Sequence, residues 1–427
     1  MKKLRAIIMG CGSRGNTYSR EMSKLPEQFE VVGIAEPVDA RRAELQKRHN
    51  LPDEACFTDY TPLLDLGKIA DFAVISTMDR DHFEPAMRAI ELGYDLLLEK
   101  PIAPTAKECA EITAAAEKKG VRVVICTVLR YTPLFMTVKK LLDDGAIGNI
   151  VSVNHEEGVG HIHQSHSFVR GNWGNSERSS TMLLQKSCHD IDILQWLIGK
   201  KCKKVQSFGS IVYFKKENAP AGSPEYCIEG CPHADKCPYN AVTLYLNNEG
   251  KGHRDWFRTA STKLPHPTDA DVEKVLRETQ YGKCVFKCDN DVVDHQTVNM
   301  LFEDDITVTF TMNAFNKGGR YIHIMGTNGE LRAQLDGADV PIVVRNFEKR
   351  TKTEIPASGA DGVTGGHGGG DEGIIRTLYE YLTDNYFGNS VPDIDTSCYN
   401  HLVTFAAEEA RISGKVVDVE EFIGKGF

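Results

Sequence analysis

The chain lacks a basic excess, a long apolar run and an internal repeat. Lys and Arg total 50 against 60 Asp and Glu, a formal charge of −10. No basic cluster departs from that balance, which excludes nucleic acid as a partner. No run reaches the roughly 18 apolar residues that a membrane-spanning helix needs. The apolar stretch behind Met1-Lys2-Lys3-Leu4-Arg5 is short and is expected to be a first strand rather than a secretion signal. The expected compartment is the cytoplasm, where structural disulfides are rare, so the 12 cysteines are expected as thiols or metal ligands. At 427 residues the chain is long for one core, and two domains are expected.

What is present begins at once. Leu4 to Met9 is a strand-sized apolar run that leads into Gly10-Cys11-Gly12-Ser13-Arg14-Gly15, and a second run, Val31 to Ala35, ends on Glu36. This is a dinucleotide fingerprint in its structural context. Gly10 permits a tight turn, Gly12 lets the backbone approach a pyrophosphate, and Gly15 lets the next helix pack on the sheet. Free N–H groups at that helix start, at Ser13 and Arg14, face phosphates. An acid in the position of Glu36 accepts hydrogen bonds from ribose hydroxyls and repels a 2′-phosphate, which favours NAD over NADP. Arg41 and Arg42 follow Pro37 and are assigned to the next helix.

Strands and helices alternate through the first 126 residues as in a doubly wound parallel sheet. Ligands bind such sheets at the carboxyl ends of the strands. Thr77, His82 and the triplet Glu99-Lys100-Pro101 lie at such ends and are assigned to the cofactor. From about Pro133 the pattern changes to period two, with turn signals at Glu303-Asp304-Asp305 and Thr327-Asn328-Gly329 joining pairs of strands as hairpins. The expected class is α/β: a Rossmann doubly wound parallel sheet in 1–127, then an α+β domain in 128–427 with a large, mostly antiparallel sheet. A Cys-rich insertion lies at about 218–290, and two helical stretches, about Glu372 to Phe387 and Ser397 to Ser413, close the chain.

The fingerprint with its acid, Glu99-Lys100-Pro101, and Cys188-His189-Asp190-Ile191-Asp192 together resemble the Gfo/Idh/MocA family of NAD(P)-dependent sugar and polyol oxidoreductases. The resemblance runs on to the Gly365 to Asp371 loop and the closing helix. It implies a lysine, Lys100, between nicotinamide and substrate, a cis bond at Pro101, and His189 as the group that exchanges the hydroxyl proton while hydride leaves the same carbon. Asp192, one helical turn on, orients that ring or contacts substrate. The chain departs from the family where an Asp commonly precedes the histidine by four residues. Gln185 stands there, followed by Lys186, and glutamine is neither acid nor base, so Lys186 or His189 takes the missing role.

Substrate contacts are expected from His161, His163, His166, Arg170 and Trp173, since aromatic faces stack on sugar rings and Arg and His bond to hydroxyls or a carboxylate. Arg130 and Tyr131, just after the last parallel strand, are expected at the same cleft. Cys227-x3-Cys231-x5-Cys237 with Cys284 offers four thiols for a structural Zn that would fix an insertion without its own core. The sequence therefore points to an NAD-dependent oxidoreductase acting on a sugar, sugar acid or polyol, working as a homodimer or tetramer as family members commonly do. Two alternatives stand beside it: a glycoside-cleaving enzyme with tightly bound NAD that passes through a transient keto-sugar, and a non-enzymatic sensor of a dinucleotide or sugar.

Overall fold

The computed structural model describes residues 2–247, 254–336, 340–357 and 366–426. Most of the glycine-rich stretch, 358–365, lies outside the described residues. Among those described, the strands form two sheets. The first contains β1 (Leu4–Met9), β2 (Phe29–Ala35), β3 (Cys56–Phe57), β4 (Phe72–Ile75), β5 (Asp95–Leu98) and β6 (Val123–Ile125). All are parallel, in the order β3-β2-β1-β4-β5-β6. The chain order reverses between β1 and β4, which opens a crevice at their carboxyl ends. The central strand β4 is apolar throughout because helices cover both faces, and all four of its residues are buried.

The second sheet contains β7 (Ile150–Gly158), β8 (Cys202–Ser210), β9 (His295–Phe302), β10 (Thr307–Asn313), β11 (Gly319–Gly326), β12 (Gly329–Leu335), β13 (Ile342–Asn346), β14 (Thr351–Ile355) and β15 (Val417–Asp418). Both expected hairpins form, β9 with β10 and β11 with β12. One pairing departs from the antiparallel rule. β10 lies parallel to β7, and β7 is sandwiched between β10 and β11. The alternation of β9 and β10 buries Val298, Met300, Val308 and Phe310 beneath the long helix Met182–Ile198, itself buried along almost its whole length.

The two halves are stitched by the closing helices. Gly370–Leu382 buries Ile374, Ile375 and Leu378 in the core of the first sheet, and Ile394–Ser413 adds Ile394, Cys398 and Leu402 to its other face. The first of these helices stops at Leu382 rather than running to Phe387, because Asp384 takes a left-handed conformation and the Tyr386 hydroxyl accepts from the N–H groups of Ser390 and Val391 in a tight loop.

Candidate functional site

The fingerprint glycines are required by contacts. Gly10 has φ +87°, and a side chain there would meet the Ser76 carbonyl oxygen at 2.5 Å; a Cβ on Gly15 would lie 2.0 Å from the Gly10 oxygen. At Gly12 a Cβ would meet only Arg41 Nη1, at 3.5 Å, so this stretch of backbone faces open space at the start of helix Ser13–Ser23. Glu36 is buried and oriented, its carboxylate accepting from Cys11 N–H (2.6 Å) and Val38 N–H (3.0 Å). Arg41 and Arg42 do lie in the helix Asp39–His49, and Arg42 folds back, its Nη1 donating to the Glu36 carbonyl at 2.6 Å.

Behind the glycines, Arg14 is clamped. Its Nε donates to Glu99 at 2.7 Å, and its Nη2 donates to Asp371 at 2.7 Å and to the Tyr18 hydroxyl at 2.6 Å. Burial opposes charge on Glu99, yet Arg14, Lys100 and the Tyr18 hydroxyl outweigh it and hold the carboxyl below its ordinary range. His82 is buried rather than turned to the crevice. Its Nδ1 lies 2.8 Å from the Pro101 oxygen and its Nε2 3.3 Å from the Thr77 oxygen, so it ties the β4 and β5 end loops together. Thr77 donates its hydroxyl to the Asp81 oxygen at 2.8 Å. The Lys100–Pro101 bond is cis.

Across the crevice, Lys100 Nζ donates to the Gln185 carbonyl oxygen at 2.7 Å. This bond sets the end of β5 against the helix Met182–Ile198, which carries two functional rows. Gln185, His189 and Asp192 follow one another at helical spacing, and Lys186 and Asp190 form the adjacent row. The second row meets the sheet: Lys186 Nζ lies 3.1 Å from Glu157, Arg320 Nε lies 2.8 Å from both Glu157 and Asp190, and His155 Nε2 lies 2.9 Å from Asp190. Glu157 and Arg320 are direct cross-strand partners on β7 and β11. Burial pushes Lys186 below its ordinary value of 10.5, only partly offset by Glu157. For Asp190, Arg320 and His155 overcome burial and hold the carboxyl down.

Sequence reasoning missed Glu157, Arg320, His155 and the pairing of Asp190 with Arg320 and His155. The signal available was Glu157 in β7 facing a buried lysine, readable only once register is known. Also missed was Asp79, buried at the end of β4, which accepts from Ser179 Oγ at 2.7 Å and Ser180 Oγ at 3.3 Å.

Several expected substrate groups are turned elsewhere. Arg130 is 2% exposed and paired bidentately with Asp192, at 2.6 and 2.8 Å, and Asn400 donates to the same carboxylate at 2.7 Å. Tyr131 is buried, which pushes its hydroxyl pKa up. Arg170 is buried against the insertion, donating to the carbonyls of Lys283 (2.9 Å) and Tyr239 (2.7 Å). His166 stacks on Phe257 at 4.2 Å, is ringed by Tyr245, Trp256 and Tyr281, and has its Nδ1 2.6 Å from the Tyr245 hydroxyl. His161, His163 and Trp173 stay half-buried, with Trp173 Nε1 3.4 Å from Asp79.

Burial drives His166 down to about 3 from 6.5, helped by Arg170. The unfolded chain therefore takes up a proton below pH 6.5 that the folded protein refuses, so this stability is complete above 6.5 and falls as pH drops toward 3. The loss reaches about 2 kcal/mol at pH 5. Urea midpoints at pH 8 and pH 5 are expected to converge in a His166→Phe variant; an unchanged gap would count against it.

The zinc expectation is corrected. Among the described residues no group of three or more His, Cys, Asp or Glu is arranged to hold a metal ion, and all 12 cysteines are free. Cys227 Sγ lies 3.8 Å from Arg170 Nη2 and from the Lys283 oxygen, and Cys284 and Cys237 are pushed up in pKa by burial. Cys231 is half-buried. The insertion does not lack a core: Ala241, Leu244, Tyr245, Phe257, Val272 and Leu276 pack together with Cys227.

Comparison with known proteins agrees with this layout. The model for an oxidoreductase family NAD-binding Rossmann fold matches residues 4–127, and that for the family's C-terminal alpha/beta domain matches 139–419. A putative oxidoreductase, YteT, of Bacillus subtilis is 22% identical over 398 residues, covering 87% of this chain and 88% of that protein. Inositol 2-dehydrogenase of Salmonella typhimurium is 25% identical over 217 residues, 51% of this chain and 59% of that protein. Levoglucosan dehydrogenase, solved with NADH and levoglucosan, shares the fold with a TM-score of 0.72 at 18% identity over 98% of this chain and all of that one. Together the two family models span most of the sequence, and the chain belongs to the Gfo/Idh/MocA oxidoreductase family, with its NAD-binding Rossmann fold and C-terminal α/β domain.

Proposed function

We propose that the protein is an NAD-dependent dehydrogenase of a sugar or polyol. The observation that carries this reading is the 2.7 Å bond from Lys100 Nζ to the Gln185 oxygen, which sets the lysine at the end of β5 against the helix of His189. Gly10, Gly12, Ser13, Gly15 and Glu36 hold the dinucleotide, and the open backbone at Gly12 supports that fit. Arg14, Glu99, His82 and Thr77 fix the loops behind it. NAD, when bound, accepts the hydride. Lys100 donates to the substrate hydroxyl oxygen and holds the reacting carbon in place, while His189 accepts the hydroxyl proton. Lys186, with its depressed pKa, is the second proton-handling group and stands in for the acid that Gln185 lacks. His161, His163 and Trp173 supply the sugar contacts.

Twelve free thiols support a reducing compartment, and among the described residues no helix is long and apolar enough to cross a membrane. The open face of the second sheet, where Phe208 remains 58% exposed, supports assembly into a dimer or tetramer.

The test is a panel of sugars, polyols and glycosides given to the purified protein, with NADH absorbance and product analysis read together. Net NADH with a carbonyl product is expected. Glycoside cleavage without net NADH would replace this reading with redox-assisted hydrolysis, and neither activity would favour a sensor.

A further inference from the structure

We infer that Arg320 is a positioning residue for Lys186: it draws on the carboxylate that meets the lysine, and so leaves the amine short of a counter-ion and able to take a proton. The inference rests on the proposed dehydrogenase reading, in which Lys186 handles a proton, and adds the residue that prepares it. Gln185 does not titrate, so that ability falls to its neighbour. Glu157 is the shared group. Its Oε1 lies 3.1 Å from Lys186 Nζ, and its Oε2 lies 2.8 Å from Arg320 Nε. Arg320 is fixed there from two sides. It stands directly across from Glu157 in the register of β7 and β11, and its Nε lies 2.8 Å from Asp190 Oδ1, with Nη2 3.5 Å from Oδ2. His155 Nε2, 2.9 Å from the same Oδ1, holds Asp190 in turn. Among the described residues Glu157 is the one acid paired with Lys186.

The other titratable groups on the surrounding elements are engaged elsewhere. Lys100, at the end of β5, is bonded to the Gln185 oxygen, and Arg130 is closed on Asp192. His401, on the helix Ile394–Ser413, has its ring nitrogens 2.8 Å from the Ser397 oxygen and 3.2 Å from the Ile102 nitrogen. Cys188 and His189 share the lysine's own helix. Burial opposes the ammonium, Glu157 and Asp190 favour it, and Arg320 opposes it again, so Lys186 stays below its ordinary value of 10.5. Two variants move this balance in opposite directions. Arg320→Met removes the competing cation yet leaves Glu157 with Lys186 and Asp190 with His155, so neither acid is stranded. Glu157→Gln removes the paired acid while Asp190 keeps Arg320.

The experiment is a pH titration of the full chain with NAD, its lysines isotopically labelled at Cε and followed by NMR. Lys186 is identified as the signal absent from Lys186→Met, and kcat for NADH formation is measured against pH beside it. The proton affinity of Lys186 is expected to rise at least about threefold in Arg320→Met and to fall at least about threefold in Glu157→Gln. The limb of kcat that coincides with this titration is expected to follow each shift, which a merely structural role would not produce. A signal unmoved in a folded variant, or moved the same way in both, overturns the inference. So does a wild-type lysine that titrates at its ordinary value, or a kcat profile that follows neither shift. Should one variant fail to fold, the other decides, because each has its own sign. The two readings fail separately. Opposite shifts without NADH from any sugar or polyol defeat the dehydrogenase and spare the role of Arg320, and NADH formed with an unmoved signal does the reverse.

Discussion

Lys100→Met is expected to lower kcat by about 10²–10⁴-fold while NAD still binds. Methionine keeps the length and apolar stem of lysine but offers no proton, so the bond to the Gln185 oxygen is lost and nothing else in the crevice replaces it. Lys100 is half-buried and its backbone N–H is held separately by Glu99 at 2.9 Å, so the loop retains its anchor. Glu99 itself keeps Arg14 and Tyr18, which spares the fingerprint. The measurement is steady-state turnover with NAD affinity by fluorescence on the same preparation. A fall in affinity that accounts for the lost rate would mean Lys100 holds the cofactor instead, and a kcat within tenfold of the wild type would remove it from the chemistry.

The first sheet was legible because its signals are local. A strand, a glycine turn and an acid lie within about 30 residues of one another in a βαβ unit, and each glycine answers to a contact that the structure displays at Gly10 and Gly15. Hairpins were legible for the same reason, since turn residues sit between strands of period two. The parallel pairing of β10 with β7 was not, because it joins residues separated by more than a hundred positions and leaves no mark on either strand.

The site divides along the same line. Lys100 and His189 are carried by short motifs, whereas the Glu157–Arg320–Asp190–His155 set is assembled by sheet register and by which side of a helix faces that sheet. Residue type alone misled at Arg170 and His166. Both suit sugar recognition chemically, but π-helical winding over Gln164–Arg170 turns all seven residues inward, where the insertion's aromatic rings and carbonyls take them up. The cysteine spacing misled in a related way. An insertion read as coreless needed a metal; its apolar side chains, spread thinly along the sequence, converge only in three dimensions.

Asp192→Ala is expected to destabilise the fold by about 3–5 kcal/mol, because it strands a buried guanidinium. Arg130 is 2% exposed and Asp192 1%, and the pair is bidentate at 2.6 and 2.8 Å. Arg130 also lies over the Trp196 ring at 5.5 Å, and Asn400 completes the carboxylate from the helix Ile394–Ser413. The pair thus joins the segment after β6 to both long helices of the C-terminal half. Once the carboxylate is gone, no other acid is bonded to Arg130, and its desolvation cost is left uncompensated. The double variant Arg130→Met, Asp192→Leu removes both charges, and it is expected to recover most of the loss, since well-packed apolar groups replace a buried pair at little cost. Urea unfolding of the wild type, Arg130→Met, Asp192→Leu and the double variant yields the coupling energy directly. If these residues bind substrate instead, the single variants will raise KM and leave the unfolding midpoint within the error of the wild type.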